Sequence, residues 1–299
     1  MKKAIVTLAI GKRYEAMFEQ YCRSFWSQYA DKHGFDVIVM TKHLDDSARS
    51  HSRSPAWQKC LILSQPNVQK YDQVVWVDSD ILINPDSPDL TLEVPLDKIG
   101  AVDEYATPTK EDHYNTLKRL YNSWSQDGKE FVNNLTATAF HRNFGLDGEF
   151  ESAVQTGVMV LSPRYHRELL EYVYHNYEDK GEGSWNYEMR PLSYEIITKH
   201  LECWLSPKFN MPWPFFKSFM YPFLNAQPSF IERKLRKLGL DPQAPLLKEC
   251  VTTAFLNNYF LHFAGGTTSD MKYVENGSAS LQPTQNTLQA QSSLSIRNS

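Results

Sequence analysis

Residues 73–85 read QVVWVDSDILINP, an apolar run followed by a pair of acidic residues. The run from Val74 to Val77 is entirely β-branched or aromatic. Such a run, bounded by turn-forming residues, is typical of a strand buried on both faces in a parallel sheet under helices. Asp78 and Asp80 follow where this strand leaves the sheet. Because uncompensated charge beside a core is costly, the two carboxylates predict a binding partner.

The composition indicates a globular protein with a large core. The chain has 299 residues, of which 41% are hydrophobic, enough for one large α/β domain. No apolar run approaches the ~20 residues that a membrane-spanning helix needs. The apolar residues 4–10 are followed by Gly11-Lys12-Arg13 instead of a cleavage site, so we interpret them as a strand. The net charge of -4 argues against nucleic-acid binding, and four scattered cysteines fit reduced thiols in a cytoplasmic protein.

A β-α-β unit is predicted at the start of the chain. The strand at 4–10 is followed by a helix at about 14–33 and by a second strand at 35–40. This connection implies parallel strands and a right-handed crossover. A nucleotide would lie at the turn after the first strand. The candidate contacts to its base or ribose are Thr7, Ala9 and Tyr14.

Other candidate site residues stand near the ends of predicted strands. Ser54-Pro55 begins a helix that carries Lys59 and leads into the central strand, so Lys59 can reach the same ligand as the carboxylates. A short strand at 99–102 ends on Asp103. Gly157, inside the strand at 153–161, indicates close approach of the backbone to another group.

A histidine and two glycines follow the last apolar segment of the chain. His262 lies within the apolar residues 259–263, and an imidazole can serve as a third ligand for Mn²⁺. An ordinary packing role is the alternative for a single histidine. Gly265 and Gly266 would let backbone N–H groups approach a phosphate.

The C-terminal third contains two segments of unusual composition. Residues 211–230 hold seven aromatic residues and four prolines, so we expect no regular helix there. Residues 231–238 form a short basic helix whose apolar face either packs on the core or lies on an anionic membrane. Residues 276–299 are rich in Ser, Gln, Asn and Thr and are predicted to be disordered.

Two kinds of enzyme use an Asp-X-Asp pair at the end of a buried strand. Such carboxylates are ligands for Mg²⁺ or Mn²⁺, and the cation holds a phosphate. In one class of phosphatases the first aspartate, here Asp78, is the nucleophile, and a Thr or Val follows four residues later. This chain has Leu82 at that position. The alternative, a metal site for the diphosphate of a nucleotide sugar, is therefore favoured.

The order of motifs resembles a known family. The stretches are TLAIG (7–11), WQK (57–59), WVDSD (76–80), QTGVMVL (155–161) and HFAG (262–265). They are similar to the GT-A retaining glycosyltransferases, nearest to the glycogenin and lipopolysaccharide galactosyltransferase family and to the yeast and plant α-galactosyl- and xylosyltransferases. The resemblance spans residues 4 to about 266. It implies a Rossmann-like α/β fold with a mainly parallel central sheet and helices on both faces.

The resemblance also implies a donor, a cofactor and roles for single residues. The donor is a UDP-sugar of the galactose, glucose or xylose class, the cofactor is Mn²⁺ or Mg²⁺, and the acceptor is a saccharide or glycolipid. Asp78, Asp80 and His262 match the metal ligands. Donor-binding positions match Lys59, Asp78, Ser79 and Gly265. The catalytic positions match Asp103 and Gln155, which would bind hydroxyls of the donor sugar, and Glu188, the acid that opens an Asp-Gln-X-X-Leu-Asn stretch.

Two departures from the family pattern affect the mechanism. Met189 stands where the family often has Gln or Glu, and a thioether cannot be the nucleophile of a double displacement. Retention would then need same-face attack assisted by the leaving diphosphate, or a role for Glu188 or Glu195. The family's Lys-Pro-Trp is replaced by Thr267-Thr268-Ser269, so the diphosphate loses one expected lysine. The candidates to replace that lysine are Arg49, Arg53 and Lys272.

The sequence thus predicts a single glycosyltransferase domain over residues 1–275, with acceptor-side insertions at about 104–150 and 205–250. It predicts a cytoplasmic protein that can touch the inner face of a membrane through residues 211–238. Two alternatives stay open. One is a metal-dependent phosphohydrolase that uses Asp78, and the other is a non-catalytic protein that binds a nucleotide sugar.

Overall fold

The computed structural model describes residues 1–126, 134–178, 187–225, 229–238 and 240–274. The predicted tail at 276–299 and the expected start of a helix at 185–186 lie outside these residues. The strands of the described residues are β1 (Lys3–Leu8), β2 (Phe35–Met40), β3 (Gln73–Val77), β4 (Ile81–Ile83), β5 (Ile99–Asp103), β6 (Val154–Leu161), β7 (Glu202–Trp204), β8 (Met211–Pro212) and β9 (Phe260–His262).

Six strands form a central sheet in the order β2-β1-β3-β6-β5-β7. β1 pairs in parallel with both β2 and β3, and β5 pairs in parallel with β7. β6 is antiparallel to both of its neighbours, β3 and β5. Five strands therefore share one direction and β6 opposes them, which confirms the predicted mainly parallel sheet.

A smaller sheet has the order β4-β9-β8, and its strand β4 follows the central strand β3 after three residues. β4 is antiparallel to β9, with Ile81 paired to His262, and β8 is parallel to β9. The N–H of Phe263 also donates to the Asp80 carbonyl at 2.9 Å. This pairing brings His262 next to Asp80, although the two residues are far apart in sequence.

Helices connect the strands along the chain. The α-helices of the described residues are α1 (Lys12–Met17), α2 (Arg23–His33), α3 (Ala48–His51), α4 (Lys110–Gln126), α5 (Ala137–Arg142), α6 (Pro163–Asn176), α7 (Met189–Thr198), α8 (Trp213–Met220), α9 (Phe230–Lys237) and α10 (Ala244–Asn257). A π-helical turn over Phe18–Cys22 joins α1 to α2. Gly34 ends α2 in a left-handed conformation with φ 71°, as predicted for a C-terminal cap.

Alternate residues of the central strand pack into two separate clusters. Val75 and Val77 share one cluster with Phe25 and Trp26, while the opposite face contributes Val74 and Trp76 to another. The second cluster also contains residues of α6, α7 and the 3₁₀ helix Pro55–Ser64. All of β3 is buried. The structure therefore confirms an α/β sheet with helices on both faces.

The aromatic and proline-rich segment differs from the prediction. Trp213–Met220 form a regular helix, α8, with Pro214 in its first turn. A proline is tolerated there because the N–H groups of a first helical turn have no intrahelical partner. Trp213 and Phe215 are buried, and the Trp213 indole donates to Asp270 at 2.9 Å. The expectation of an irregular segment is wrong at these residues.

The predicted basic helix is present as α9, but its apolar side chains are not in the core. Ile231 is 69% exposed and Leu238, which follows the helix, is 75% exposed. Of the two predicted alternatives, packing on the core does not hold for these residues. No helix among the described residues is long and apolar enough to cross a bilayer.

Candidate active site

The site lies at the carboxyl end of the central strand. Asp78 directly follows β3, and its N–H donates to the Gly157 carbonyl in β6 at 2.8 Å. Ser79 and Asp80 turn the chain into β4. This is the edge of an α/β sheet where ligands bind.

Asp78, Asp80 and His262 come together at this edge, as predicted. Each offers a ligand atom, and the three atoms lie within 4.8 Å of one another. His262 Nε2 is 3.3 Å from an Asp80 carboxylate oxygen and 3.9 Å from an Asp78 oxygen. His262 is 5% exposed, so the imidazole is held in the protein while the carboxylates stay partly accessible.

The orientation of His262 depends on a residue that the sequence prediction missed. Nδ1 of His262 lies 3.0 Å from the side-chain oxygen of Asn210, which is fully buried. The Asn210 amide donates in turn to Gln155 Oε1 at 2.5 Å, and the Gly157 N–H donates to the same oxygen at 2.6 Å. No motif of the sequence points to Asn210. Only the folded position of the Pro207–Asn210 turn reveals it.

Gly157 gives His262 its space. An added Cβ at Gly157 would lie 2.8 Å from His262 Cε1 and 3.0 Å from Asn210 Nδ2. These distances are shorter than van der Waals contact. The predicted close approach at Gly157 is thus confirmed, and the group that approaches the backbone is the candidate metal ligand.

The pKa values of Asp78, Asp80 and His262 depend on burial and on the charges around them. Burial raises the pKa of Asp78 above its ordinary value, against the opposing effect of Lys59. Burial acts in the same direction on Asp80, but the pairing with His262 outweighs it and lowers the pKa of Asp80. Burial by itself lowers the pKa of His262, and Asp80 more than reverses this and raises it. The two carboxylates therefore favour positive charge at the position of the imidazole.

The donor set fits a hard divalent cation. Two carboxylates supply oxygen ligands, and an imidazole whose Nδ1 is paired with Asn210 has its Nε2 directed at them. Ligands held through such outer contacts are typical of metal sites. Among the divalent metals, Mn²⁺ and Mg²⁺ suit a site dominated by carboxylate oxygen.

Lys59 is buried beside the metal triad. Its Nζ lies 3.1 Å from an Asp78 oxygen, 2.8 Å from a Glu188 oxygen and 3.3 Å from the Thr156 carbonyl. Burial lowers the pKa of Lys59, but the Asp78 and Glu188 carboxylates reverse this, and the net pKa is raised. The lysine is thus a fixed cation that holds Asp78 in place.

Glu188 and Met189 stand at the start of α7. Glu188 is 3% exposed, and its Oε1 accepts from Lys59 and, at 3.1 Å, from the Thr156 hydroxyl. Met189 packs in a small apolar cluster with Tyr105 and Phe140. Glu195, the other candidate acid, is held by Tyr177 and Lys199. Glu188 is therefore the acid that the structure joins to the metal triad, through Lys59.

Asp103 ends β5 at the same edge of the sheet, but its carboxylate accepts hydrogen bonds from nearby protein groups. One oxygen accepts from the N–H groups of Tyr105 at 2.9 Å and Ala153 at 3.2 Å. The other accepts from the Ser152 hydroxyl at 2.7 Å. The next residue, Glu104, was not predicted, and no hydrogen bond to its buried Oε2 is present in the described part of the chain.

The predicted nucleotide contacts lie in different environments. Thr7 and Ala9 are completely buried, whereas Tyr14 in α1 is 49% exposed. The Ser79 carbonyl accepts from the Cys22 thiol at 3.4 Å. Gly265 has φ 65°, a left-handed conformation, with open space at its Cβ position. Binding by these residues stays a prediction.

The arginines that could replace the missing lysine are engaged elsewhere. Arg49 and Arg53 both pair with Glu178, at 2.6 and 2.9 Å. Arg53 also donates to the Tyr174 carbonyl at 2.8 Å and is 7% exposed. Lys272 is exposed beside Tyr273. Of the three candidates, only Lys272 lacks an ion pair among the described residues.

No family model matches the chain, and no curated protein matches its sequence. The fold does align with solved structures. One is a glycosyltransferase involved in the glycosylation of the major capsid of PBCV-1, with TM-score 0.47 and 13% identity over 90% of this chain and 96% of that chain. A second is the bifunctional glycosyltransferase WbbM, with TM-score 0.46 and 12% identity over 92% of this chain and 50% of that chain.

A third solved structure is an active-site mutant of LgtC, with TM-score 0.42 and 12% identity over 90% of this chain and 94% of that chain. The first two of these proteins are described as glycosyltransferases, the enzyme class that the sequence motifs resemble. Likenesses at such low TM-scores and identities do not assign an activity to this chain.

Proposed function

We propose that this protein is a metal-dependent glycosyltransferase. It transfers a sugar of the galactose, glucose or xylose class from a UDP-sugar to a hydroxyl of a saccharide or glycoconjugate. The observation that carries the proposal is the Asp78, Asp80 and His262 triad at the carboxyl end of a buried strand. This triad combines the acidic pair and the late histidine that the sequence resemblance assigns to the metal.

Each residue of the site has a role in this proposal. Asp78, Asp80 and His262 would hold Mn²⁺ or Mg²⁺. When bound, the cation neutralises charge that develops on the leaving diphosphate. Asn210 holds the imidazole so that Nε2 faces the carboxylates. Lys59 fixes Asp78 and adds a positive charge beside the site. Gly265, Ser79, Thr7, Ala9 and Tyr14 remain the proposed contacts to the nucleotide.

We infer a retaining reaction from the resemblance, with Met189 as a constraint on its mechanism. Because Met189 cannot act as a nucleophile, the acceptor hydroxyl would attack from the same face as the leaving group. Glu188 is the alternative nucleophile, but Lys59 and Thr156 already occupy one of its oxygens. Gln155 remains a proposed partner of the donor sugar, and Asp103 is the second partner that the resemblance implies.

Calorimetric titration tests the metal-dependent site. UDP would be titrated in the presence of Mn²⁺ and again with chelator, using the wild-type protein, Asp80→Asn and Asp86→Asn. Asp86 is an exposed aspartate outside the triad, so its variant controls for a general change of charge. We expect micromolar binding that requires Mn²⁺, persists in Asp86→Asn and is lost in Asp80→Asn.

Other outcomes would support the rival functions. Absence of UDP binding in both conditions would contradict the proposal. Hydrolysis of a phosphomonoester without UDP-sugar, with phosphate trapped on Asp78, would instead support the phosphohydrolase. Metal-dependent UDP-sugar binding with neither hydrolysis nor transfer across an acceptor panel would support the non-catalytic binding protein.

We further propose that residues 211–238 contact an anionic membrane surface from the cytoplasmic side. Phe230 and Ile231 are 63% and 69% exposed, and α9 also carries the basic residues Arg233, Lys234 and Lys237. Exposed apolar side chains next to cations suit the boundary between headgroups and acyl chains. The four cysteines are free thiols, which agrees with a reducing compartment.

Vesicle sedimentation tests this surface. We expect the protein to pellet with vesicles that contain phosphatidylserine, and to remain in solution with phosphatidylcholine alone. The double variant Phe230→Ser/Ile231→Ser should lose pelleting. Leu256→Ser, which changes a 67% exposed leucine in α10, is the control and should keep it. Equal pelleting of the double variant and the wild-type protein would contradict the contact.

We also propose one glycosyltransferase domain over residues 1–275, with acceptor-side insertions at about 104–150 and 205–250. Among the described residues, the first of these ranges contributes α4 and α5 between strands β5 and β6 of the central sheet. Limited proteolysis tests the single domain. One protected fragment that keeps both ends of this range would support it.

A further inference from the structure

Glu104 is an acidic residue of the site that the proposed roles leave unused. It follows Asp103 at the end of β5 and begins a short 3₁₀ helix, Glu104–Ala106. Its backbone is fixed, because its N–H donates to the Ala153 carbonyl at 2.8 Å. The shielded Oε2 of its side chain has no hydrogen-bond partner among the described residues.

Glu104 follows β5 at the same edge of the central sheet as Asp78 and Asp80, which follow β3. The electrostatic environment of its carboxyl includes Asp103 and the metal ligand His262. Tyr105 and Tyr121 also interact with it. No arginine or lysine among the described residues forms an ion pair with it. A carboxyl so placed has a strong unmet capacity for hydrogen bonding, because a buried polar group without a partner is costly.

The neighbouring acid, Asp103, differs from Glu104 in that its carboxylate is already hydrogen-bonded. Protein groups already make three hydrogen bonds to the Asp103 carboxylate. Those bonds close the turn between β5 and the 3₁₀ helix and tie it to the start of β6. The resemblance assigns a sugar contact to Asp103, but the free hydrogen-bonding capacity at this turn belongs to Glu104.

We propose that Glu104, one residue beyond the expected position, binds a hydroxyl of the donor sugar. This inference rests on the proposed glycosyltransferase function. A hydroxyl is the ligand group that fits, because it is neutral and can donate to a carboxylate. Burial and Asp103 raise the pKa of Glu104 to about 7, so the carboxylate that accepts this hydrogen bond is present at neutral pH and above. Asp103 is then a positioning residue that shapes the turn.

The test compares the binding of sugar and nucleotide. Calorimetric titration with Mn²⁺ would measure UDP, UDP-glucose, UDP-galactose and UDP-xylose on the wild-type protein, Glu104→Gln and Glu104→Asp. Glu111→Gln, an exposed acid in α4, is the control. We expect Glu104→Gln to weaken the preferred UDP-sugar about tenfold, because a neutral amide is a weaker acceptor than a carboxylate, and to leave UDP within twofold.

Deoxy analogues of the preferred donor identify the hydroxyl. Each analogue lacks one hydroxyl, and the wild-type protein and Glu104→Gln should bind one of them equally well. Glu104→Asp keeps the carboxyl but shortens the side chain. Its affinity for the UDP-sugar should lie between those of the wild-type protein and Glu104→Gln. Equal weakening of UDP and UDP-sugar by Glu104→Gln would overturn the inference, and so would unchanged UDP-sugar affinity.

The same titrations separate this inference from the function on which it rests. Wild-type protein that does not bind UDP overturns both. Wild-type protein that binds UDP and a UDP-sugar, with Glu104→Gln affinities unchanged, overturns the role of Glu104 alone. A loss of sugar affinity in Asp103→Asn, with no loss in Glu104→Gln, would return the sugar contact to Asp103.

Discussion

Nδ1 of His262 lies 3.0 Å from the side-chain oxygen of Asn210. This contact requires a proton on Nδ1, because the amide oxygen can only accept. In the neutral imidazole, Nε2 then carries the lone pair that a cation needs. The partner of a metal-binding histidine thus decides which nitrogen can act as the ligand.

Replacing Asn210 with Ala should weaken Mn²⁺ binding about 10–100-fold, because His262 loses the group that fixes its orientation. Titration with MnCl₂ would measure the change. Asn257→Ala, an exposed asparagine at the end of α10, is the control and should bind Mn²⁺ like the wild-type protein. Unchanged affinity in Asn210→Ala would show that the contact does not matter for the metal.

Gly157→Ala should weaken the metal site without unfolding the protein. The new Cβ would lie 2.8 Å from His262 Cε1, so the imidazole must move, and Mn²⁺ affinity should fall about tenfold or more. Gly100→Ala is the matched control, because its Cβ would lie 2.7 Å from Val94 in the core. That variant should lose about 1–3 kcal/mol of unfolding free energy through overpacking but keep its Mn²⁺ affinity. A Gly157→Ala protein with normal Mn²⁺ affinity would refute the close approach.

Lys59→Met should destabilise the folded protein by about 3–5 kcal/mol, because the buried Glu188 and half-buried Asp78 carboxylates lose their shared cation. Denaturant unfolding would measure this. Adding Glu188→Gln should recover part of the loss by removing one unpaired charge. Arg142→Met, which breaks the exposed pair with Glu149, should cost less than about 1 kcal/mol. Similar losses for the buried and exposed pairs would contradict this account.

Glu104→Gln should change how stability depends on pH, with no ligand involved. Burial raises the pKa of Glu104 to about 7, so the folded state binds its proton more tightly than the unfolded state. The stability that protonated Glu104 contributes is therefore lost as the pH rises from 4.5, the pKa of this group in the unfolded chain, to about 7. Glutamine resembles the protonated acid, so the variant should be more stable above pH ~7, by up to roughly 3 kcal/mol.

Unfolding curves of the wild-type protein and Glu104→Gln across this pH range would check the prediction. The difference between them should vanish below pH ~4.5, where glutamate is protonated in both states. Glu111→Gln should track the wild-type protein throughout. A constant difference between Glu104→Gln and the wild-type protein would mean that Glu104 does not titrate with a raised pKa.

The sequence by itself determined the central strand and the acidic pair that follows it. Val74 to Val77 had to be buried on both faces, because a run of apolar side chains points to both sides of a sheet in turn. The end of the helix at Gly34 was also predictable from sequence, because glycine adopts the left-handed conformation that ends a helix. These features depend on neighbours in sequence, and periodicity reports them directly.

Only the tertiary structure decided which distant residues complete the site. His262 reaches Asp80 because β9 pairs with β4, and Asn210 reaches His262 through its own turn. Asp103 and Glu104 are adjacent acids, yet backbone N–H groups occupy one, while Oε2 of the other has no hydrogen-bond partner among the residues that the structure describes. These hydrogen-bond partners depend on packing between elements that are remote in sequence. Local sequence propensity does not predict that packing.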